Sequence, residues 1–145
     1  MNIYKIVIQT GKAILAAGFL LTLTACKLDL TLLDSDNVMV GNGTLEVRAS
    51  FPSPAHVVMN GKEFAGTWSA TKVYEEDVAK RHRLLGARSY EEYMQGNARD
   101  QLWHGRAVLT AQDSTEMVCD FYYRAQPESG NCSVDGDVMK LKFSD

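Results

Sequence analysis

Cys119 and Cys132 are the residues best placed by type and spacing to do chemistry together, and that chemistry is cross-linking. They flank the turn-rich segment Gln126-Pro127-Glu128-Ser129-Gly130-Asn131. Around the first of them, Met117, Cys119, Phe121 and Tyr123 fall on one face of a strand, while Glu116, Asp120 and Arg124 fall on the other. Two strands returning through such a turn bring the two Cβ atoms within bridging distance. Closing a loop of about 14 residues contributes roughly 3 kcal/mol in the chain-entropy model. The bland alternative is a pair of free buried thiols. Without a C-x-x-C, a redox or metal role is weaker still.

The other reactive side chains converge on no site. His56, His82 and His104 are scattered over a loop, a basic helix and a strand. No two have the i, i+4 spacing that sets two ligands on one helix face, so no metal is expected. Asp34-Ser35-Asp36-Asn37 begins like a calcium loop but lacks its glycine and its distant glutamate. Ser69-Ala70-Thr71-Lys72 fits S-x-x-K, which in penicillin-binding enzymes sets a nucleophilic serine one helical turn from a lysine. Those enzymes also need a much larger scaffold and a K-T-G element, which is absent here, so Ser69 reads as a helix cap and the chain as a non-enzyme without a cofactor. Trp68 and Trp103 sit in alternating strands and read as core. Lys80-Arg81-His82-Arg83, with Arg88 close behind, is the one basic cluster. Such a run is usually the solvated face of a helix. The sharper reading makes Lys80, Arg81 and Arg83 a contact for an anionic partner: lipid A phosphates, a teichoic-type polymer or an acidic protein surface.

Cys26 belongs to a different pattern. From Ala13 to Leu23 the chain runs eleven residues without charge, and Lys5 and Lys12 are the only charged side chains before it ends in Leu23-Thr24-Ala25-Cys26. The apolar run has the length of a signal-peptide core and is too short to span a bilayer, which takes about 20 apolar residues. The motif resembles the lipobox of bacterial lipoproteins. That resemblance implies a signal peptide over 1–25, cleavage after Ala25, diacylglycerol on the Cys26 sulfur and acylation (palmitate or its like) of the new amino group. Lys27 stands where an Asp would favour the inner membrane, so the resemblance implies the outer membrane and its periplasmic face. With Cys26 taken by lipid, Cys119 and Cys132 remain as an even pair in an oxidising compartment, where a disulfide bond is expected.

Removing residues 1–25 leaves 120 residues, the size of one domain. It also leaves 13 Lys and Arg against 18 acidic residues, a charge of about −5 that argues against nucleic acid and against general attraction to anionic headgroups. Residues 26–37 read as a lipidated tether and 38–145 as a single periplasmic β-rich domain. Leu45, Val47, Ala49 and Phe51 alternate as a half-buried strand ended by Pro52 and Pro54. Val57-Val58-Met59 meets Asn60-Gly61, a strong hairpin signal, and the return strand runs towards Trp68. Ser69 or Thr71 is expected to cap a helix ending at Gly86, and Ser89 to open a second with Glu92 in a capping box. Strands then follow from Trp103 to Ala111, around Cys119, and through Met139, Leu141 and Phe143 after a turn at Asp135-Gly136. The expected fold is α+β: an antiparallel meander, closed as a barrel or stacked as a sandwich, with a two-helix insert around residues 70–96.

Such a chain is expected to be a non-enzymatic binding or scaffolding module, held at the membrane by lipid and engaging another envelope protein or polymer. In size, anchor and β content it is similar to the small, disulfide-containing lysozyme-inhibitor lipoproteins, which implies an inhibitor or exclusion factor as the alternative. Gly96-Asn97-Ala98-Arg99-Asp100-Gln101 is similar to the helix-start motif of the small outer-membrane assembly lipoproteins of αα-βββ order, although here strands at 45–68 precede the helices.

Overall fold

Alternation of apolar and polar residues curls eight strands into one closed wall. A computed structural model describes residues 26–144; the expected signal segment 1–25, with Lys5, Lys12 and Leu23-Thr24-Ala25, lies outside the described residues, as does Asp145. The strands are β1 (Cys26–Leu33), β2 (Met39–Val47), β3 (Ser53–Met59), β4 (Lys62–Val73), β5 (Leu102–Thr110), β6 (Glu116–Tyr123), β7 (Ser129–Val134) and β8 (Asp137–Phe143). Helices α1 (Glu76–Leu85) and α2 (Ala87–Gln95) lie between β4 and β5. Each strand pairs antiparallel with the next, and β1 closes on β8 through Leu30–Phe143 to Leu33–Lys140, so among the described residues every strand has a neighbour on both sides. The expected meander with a two-helix insert is therefore present, and it closes as a barrel. The helices form their own small cluster around Val78, Ala79 and Tyr93 and add no layer to the barrel core, which makes the molecule mostly β.

The segment expected as a tether is a strand. Leu30 and Leu32 point into the core at 3% and 0% exposure, while Lys27, Asp29 and Thr31 alternate outward. Polar residues that read as tether are the solvent face of β1, and the apolar ones fill the barrel. The helix-cap reading of Ser69 and Thr71 is also corrected: β4 continues to Val73 because Ser69 and Thr71 pair with Arg106 and His104 of β5. Likewise α2 begins at Ala87 rather than Ser89, and the Ser89 hydroxyl binds His82 in place of a helix end. The strand expected through Phe51 ends at Val47.

Eight strands enclose an interior just wide enough for side chains to fill. Leu32, Leu45, Val57, Phe64, Leu109, Met117, Phe121, Cys132 and Leu141 are essentially inaccessible there. Phe121 is the pivot, packed against Trp68, Tyr123 and Phe143 with ring centroids 5.8, 6.0 and 5.0 Å away. Its ring needs Gly105 on the neighbouring strand, where an added Cβ would lie 2.2 Å from the ring edge. The Cys119–Cys132 bond joins directly opposed residues of β6 and β7, with S–S 2.02 Å and both cysteines in this core.

Candidate functional site

A filled interior leaves the two ends and the outer wall for recognition. At one end lie four short connections: residues 34–38, Asn60-Gly61, 111–115 and Asp135-Gly136. Asn60-Gly61 and Asp135-Gly136 have positive φ at both residues, the twist that suits two-residue hairpins. In the β1–β2 turn the Asp34 carboxylate accepts from the Asp36 and Val38 amides, both at 2.9 Å.

Between these turns the barrel opens into a cavity of about 640 Å³. Val40, Met59, Phe64, Val134 and Met139 make its floor; Asp34, Asn60, Lys62, Asp135, Asp137 and Val138 stand on its rim. Beside it Val38 and Met39 are exposed. Lys62 Nζ is held 2.5 Å from Asp113 Oδ2 and 3.2 Å from the Thr115 hydroxyl. The Lys62 ammonium, then the Thr115 hydroxyl and amide, hold the Asp113 carboxyl far below the usual range. With Lys62 committed to Asp113, and Lys140 to the Asn37 side chain at 2.9 Å, Asp135 and Asp137 have no paired cation among the described residues. The mouth is an apolar floor within a predominantly acidic rim.

The opposite end is closed by polar contacts distant in sequence. Gln101, 1% exposed, donates to the carbonyls of Val73 and Leu102, each at 2.9 Å, bridging the ends of β4 and β5. Arg124 grips Glu75 with two parallel bonds of 2.9 Å, and this guanidinium lowers the Glu75 pKa. His82 lies between the Ser89 hydroxyl at 2.7 Å and Asp100 Oδ1 at 2.8 Å, stacked on Tyr93. The imidazole in turn lowers the Asp100 pKa. The Tyr93 hydroxyl accepts from the Glu75 amide at 2.8 Å and donates to its carbonyl at 3.3 Å.

The residues singled out in the sequence separate. Cys26 is exposed at the start of β1, on the helix-bearing end, and Cys119 and Cys132 are buried mid-barrel. Lys80 and Arg83 reach back to Glu76 at 4.0 and 3.7 Å, and Arg81 reaches Asp100 at 3.6 Å. Ser69 and Lys72 share strand β4 rather than a helix turn, and Lys72 bonds the Met94 carbonyl. The histidines stay apart: His56 on the outer wall, His82 in the helices, His104 on the outer wall bonded to Asp120 at 2.8 Å and stacked on Tyr122. Among the described residues no group of His, Cys, Asp and Glu has metal-site geometry, and no helix is long and apolar enough to cross a membrane.

The mouth escaped the sequence reading because its rim residues Asp34, Asn60 and Asp135 read locally as turn formers and its floor residues as ordinary strand core; only barrel closure draws the four turns into a ring around a cavity. No family model, curated protein or solved structure matches the chain.

Proposed function

We propose that the protein is a lipid-anchored, non-enzymatic binding module of the bacterial envelope, held by Cys26 at the outer membrane and presenting the barrel mouth to a periplasmic partner. The observation that carries this reading is polarity along the barrel. Cys26 begins β1 at one end, and the cavity of about 640 Å³ opens at the other. An anchor at the first end leaves the mouth directed away from the lipid. The apolar floor suits a buried anchor side chain, and the rim carboxylates suit a cationic neighbour.

The acidic rim also favours one specific variant of this reading, an inhibitor that seats a basic segment of a wall-degrading enzyme in the mouth. The order found, four strands, two helices and four strands, lends no support to an αα-βββ assembly accessory.

A photo-reactive residue in place of Val138, on the mouth rim, tests the reading in intact cells. It should trap one reproducible envelope component, and the same residue in place of Val108, on the outer wall, should not. Equal trapping at both positions, or at neither, would remove the mouth as the binding site. A lysozyme-protection assay with the purified protein then separates inhibitor from scaffold.

A further inference from the structure

The α1–α2 corner combines two features found together nowhere else among the described residues. Leu84 and Leu85 are the two most exposed large apolar side chains, at 89% and 75%. They sit next to Gly86 at the apex where the chain turns from α1 into α2. From Val78 to Tyr90 the chain carries Lys80, Arg81, Arg83 and Arg88 and no Asp or Glu. Of the acids around it, Glu75, Glu76 and Asp77 precede that stretch and Glu91, Glu92 and Asp100 follow it. Cations thus cluster in sequence about the apex; each lies within 4.0 Å of one flanking acid, Lys80 and Arg83 of Glu76, Arg81 of Asp100 and Arg88 of Glu92, but all four stay 48–93% exposed, in a molecule whose net charge is negative.

We infer that this apex inserts Leu84 and Leu85 into the headgroup layer of an anionic bilayer, with the flanking arginines on lipid phosphates. Apolar side chains ringed by Lys and Arg are the arrangement that binds a bilayer interface, because the aliphatic groups leave water while the cations meet negative headgroups. The inference rests on the lipid-anchor reading. Because Cys26 is itself the first residue of β1 and pairs with Val47, no tether separates an anchored cysteine from the barrel. That end of the barrel is also where α1 departs after Val73 and α2 returns to Leu102. Ten residues of α1 span about 15 Å, which bounds how far the apex lies from the barrel end that carries Cys26. Net charge opposes this placement only if charge were spread evenly, and here the acidic rim is on the far end.

The test uses the full lipidated chain, in which Cys26 carries lipid and Cys119 and Cys132 are bonded, so an introduced cysteine is the single reactive thiol. Leu84→Cys, Leu85→Cys and Val138→Cys are each labelled with an environment-sensitive fluorophore and reconstituted in phosphatidylethanolamine–phosphatidylglycerol vesicles. Positions 84 and 85 should show a blue-shifted emission several-fold stronger than position 138, quenched by spin-labelled acyl chains. Neutralising Arg81, Arg83 and Arg88 to Gln should reverse much of that gain. Protein that floats with the vesicles while position 84 stays as polar as position 138 overturns the insertion and leaves the anchor standing. Protein that does not float removes the anchor and the inference with it. Strong emission only when delipidated envelope protein is added would assign the apex to a protein partner instead.

Discussion

The two ends of the barrel are built by different kinds of contact. At the mouth, turns of two to five residues satisfy themselves: Asp34 caps its own loop, and the Asp113 carboxylate binds the amide and hydroxyl of Thr115 two residues on. At the helix end, partners are far apart in sequence: Arg124 with Glu75, His82 with Asp100, Gln101 with Val73. The difference teaches where freedom lies. Locally satisfied turns hold their shape whatever occupies the cavity between them, so rim side chains can serve a partner. The helix end needs all of its polar pairs to stay docked, since the helices pack on each other and hardly on the wall.

The strongest way to break the comparison is to remove what both ends share. Phe121→Ala deletes the ring at the centre of the core and should cost about 3–5 kcal/mol by urea denaturation. Retained stability would mean that the ends hold the barrel rather than the reverse. Cys132→Ala should follow at roughly 2–5 kcal/mol, the usual loss for a native disulfide in a small secreted domain. The purified protein, denatured without reductant, should show no titratable thiol from Cys119 or Cys132.

Acid should sharpen the comparison by loosening one end first. Asp100 and Glu75 have depressed folded-state pKa values, held by His82 and Arg124 respectively. The unfolded chain therefore binds more protons than the folded one once the pH falls below about 4, and their stabilisation, fully present above that, is lost as the pH passes through the depressed values. Hydrogen exchange across 76–95 should accelerate there before exchange in β5 and β6 does. His82→Ala should bring the same local acceleration at neutral pH, whereas uniform acceleration would show that the helices and barrel unfold as one unit. The smallest effect belongs to the rim: Asp135→Asn with Asp137→Asn should leave stability within about 0.5 kcal/mol and weaken only the capture of a partner at position 138.

Much of the barrel was legible in the chain itself. The hairpins at Asn60-Gly61 and Asp135-Gly136, the strand around Cys119 and the disulfide across it follow from side-chain alternation and turn chemistry, which act over a few residues. The misread segments share one cause. Residues 26–33 are tether or strand, and 69–73 helix or strand, according to which neighbours offer backbone partners. β1 obtains its partners from β2 and from β8, more than a hundred residues away, and Ser69 and Thr71 obtain theirs from β5 beyond the helical insert. Local propensity carries no record of such pairings.

By itself, then, the sequence determined the type and order of most elements, the cysteine pair and the charge-free run that precedes Cys26. Only the tertiary structure decided that the meander closes on itself, that its interior is full, and that acidic turns gather at one end while Cys26 and the leucine apex belong to the other. Closure is a long-range property: the β1–β8 pairing joins the two outer strands of the meander and draws its alternating connections into a ring at each end.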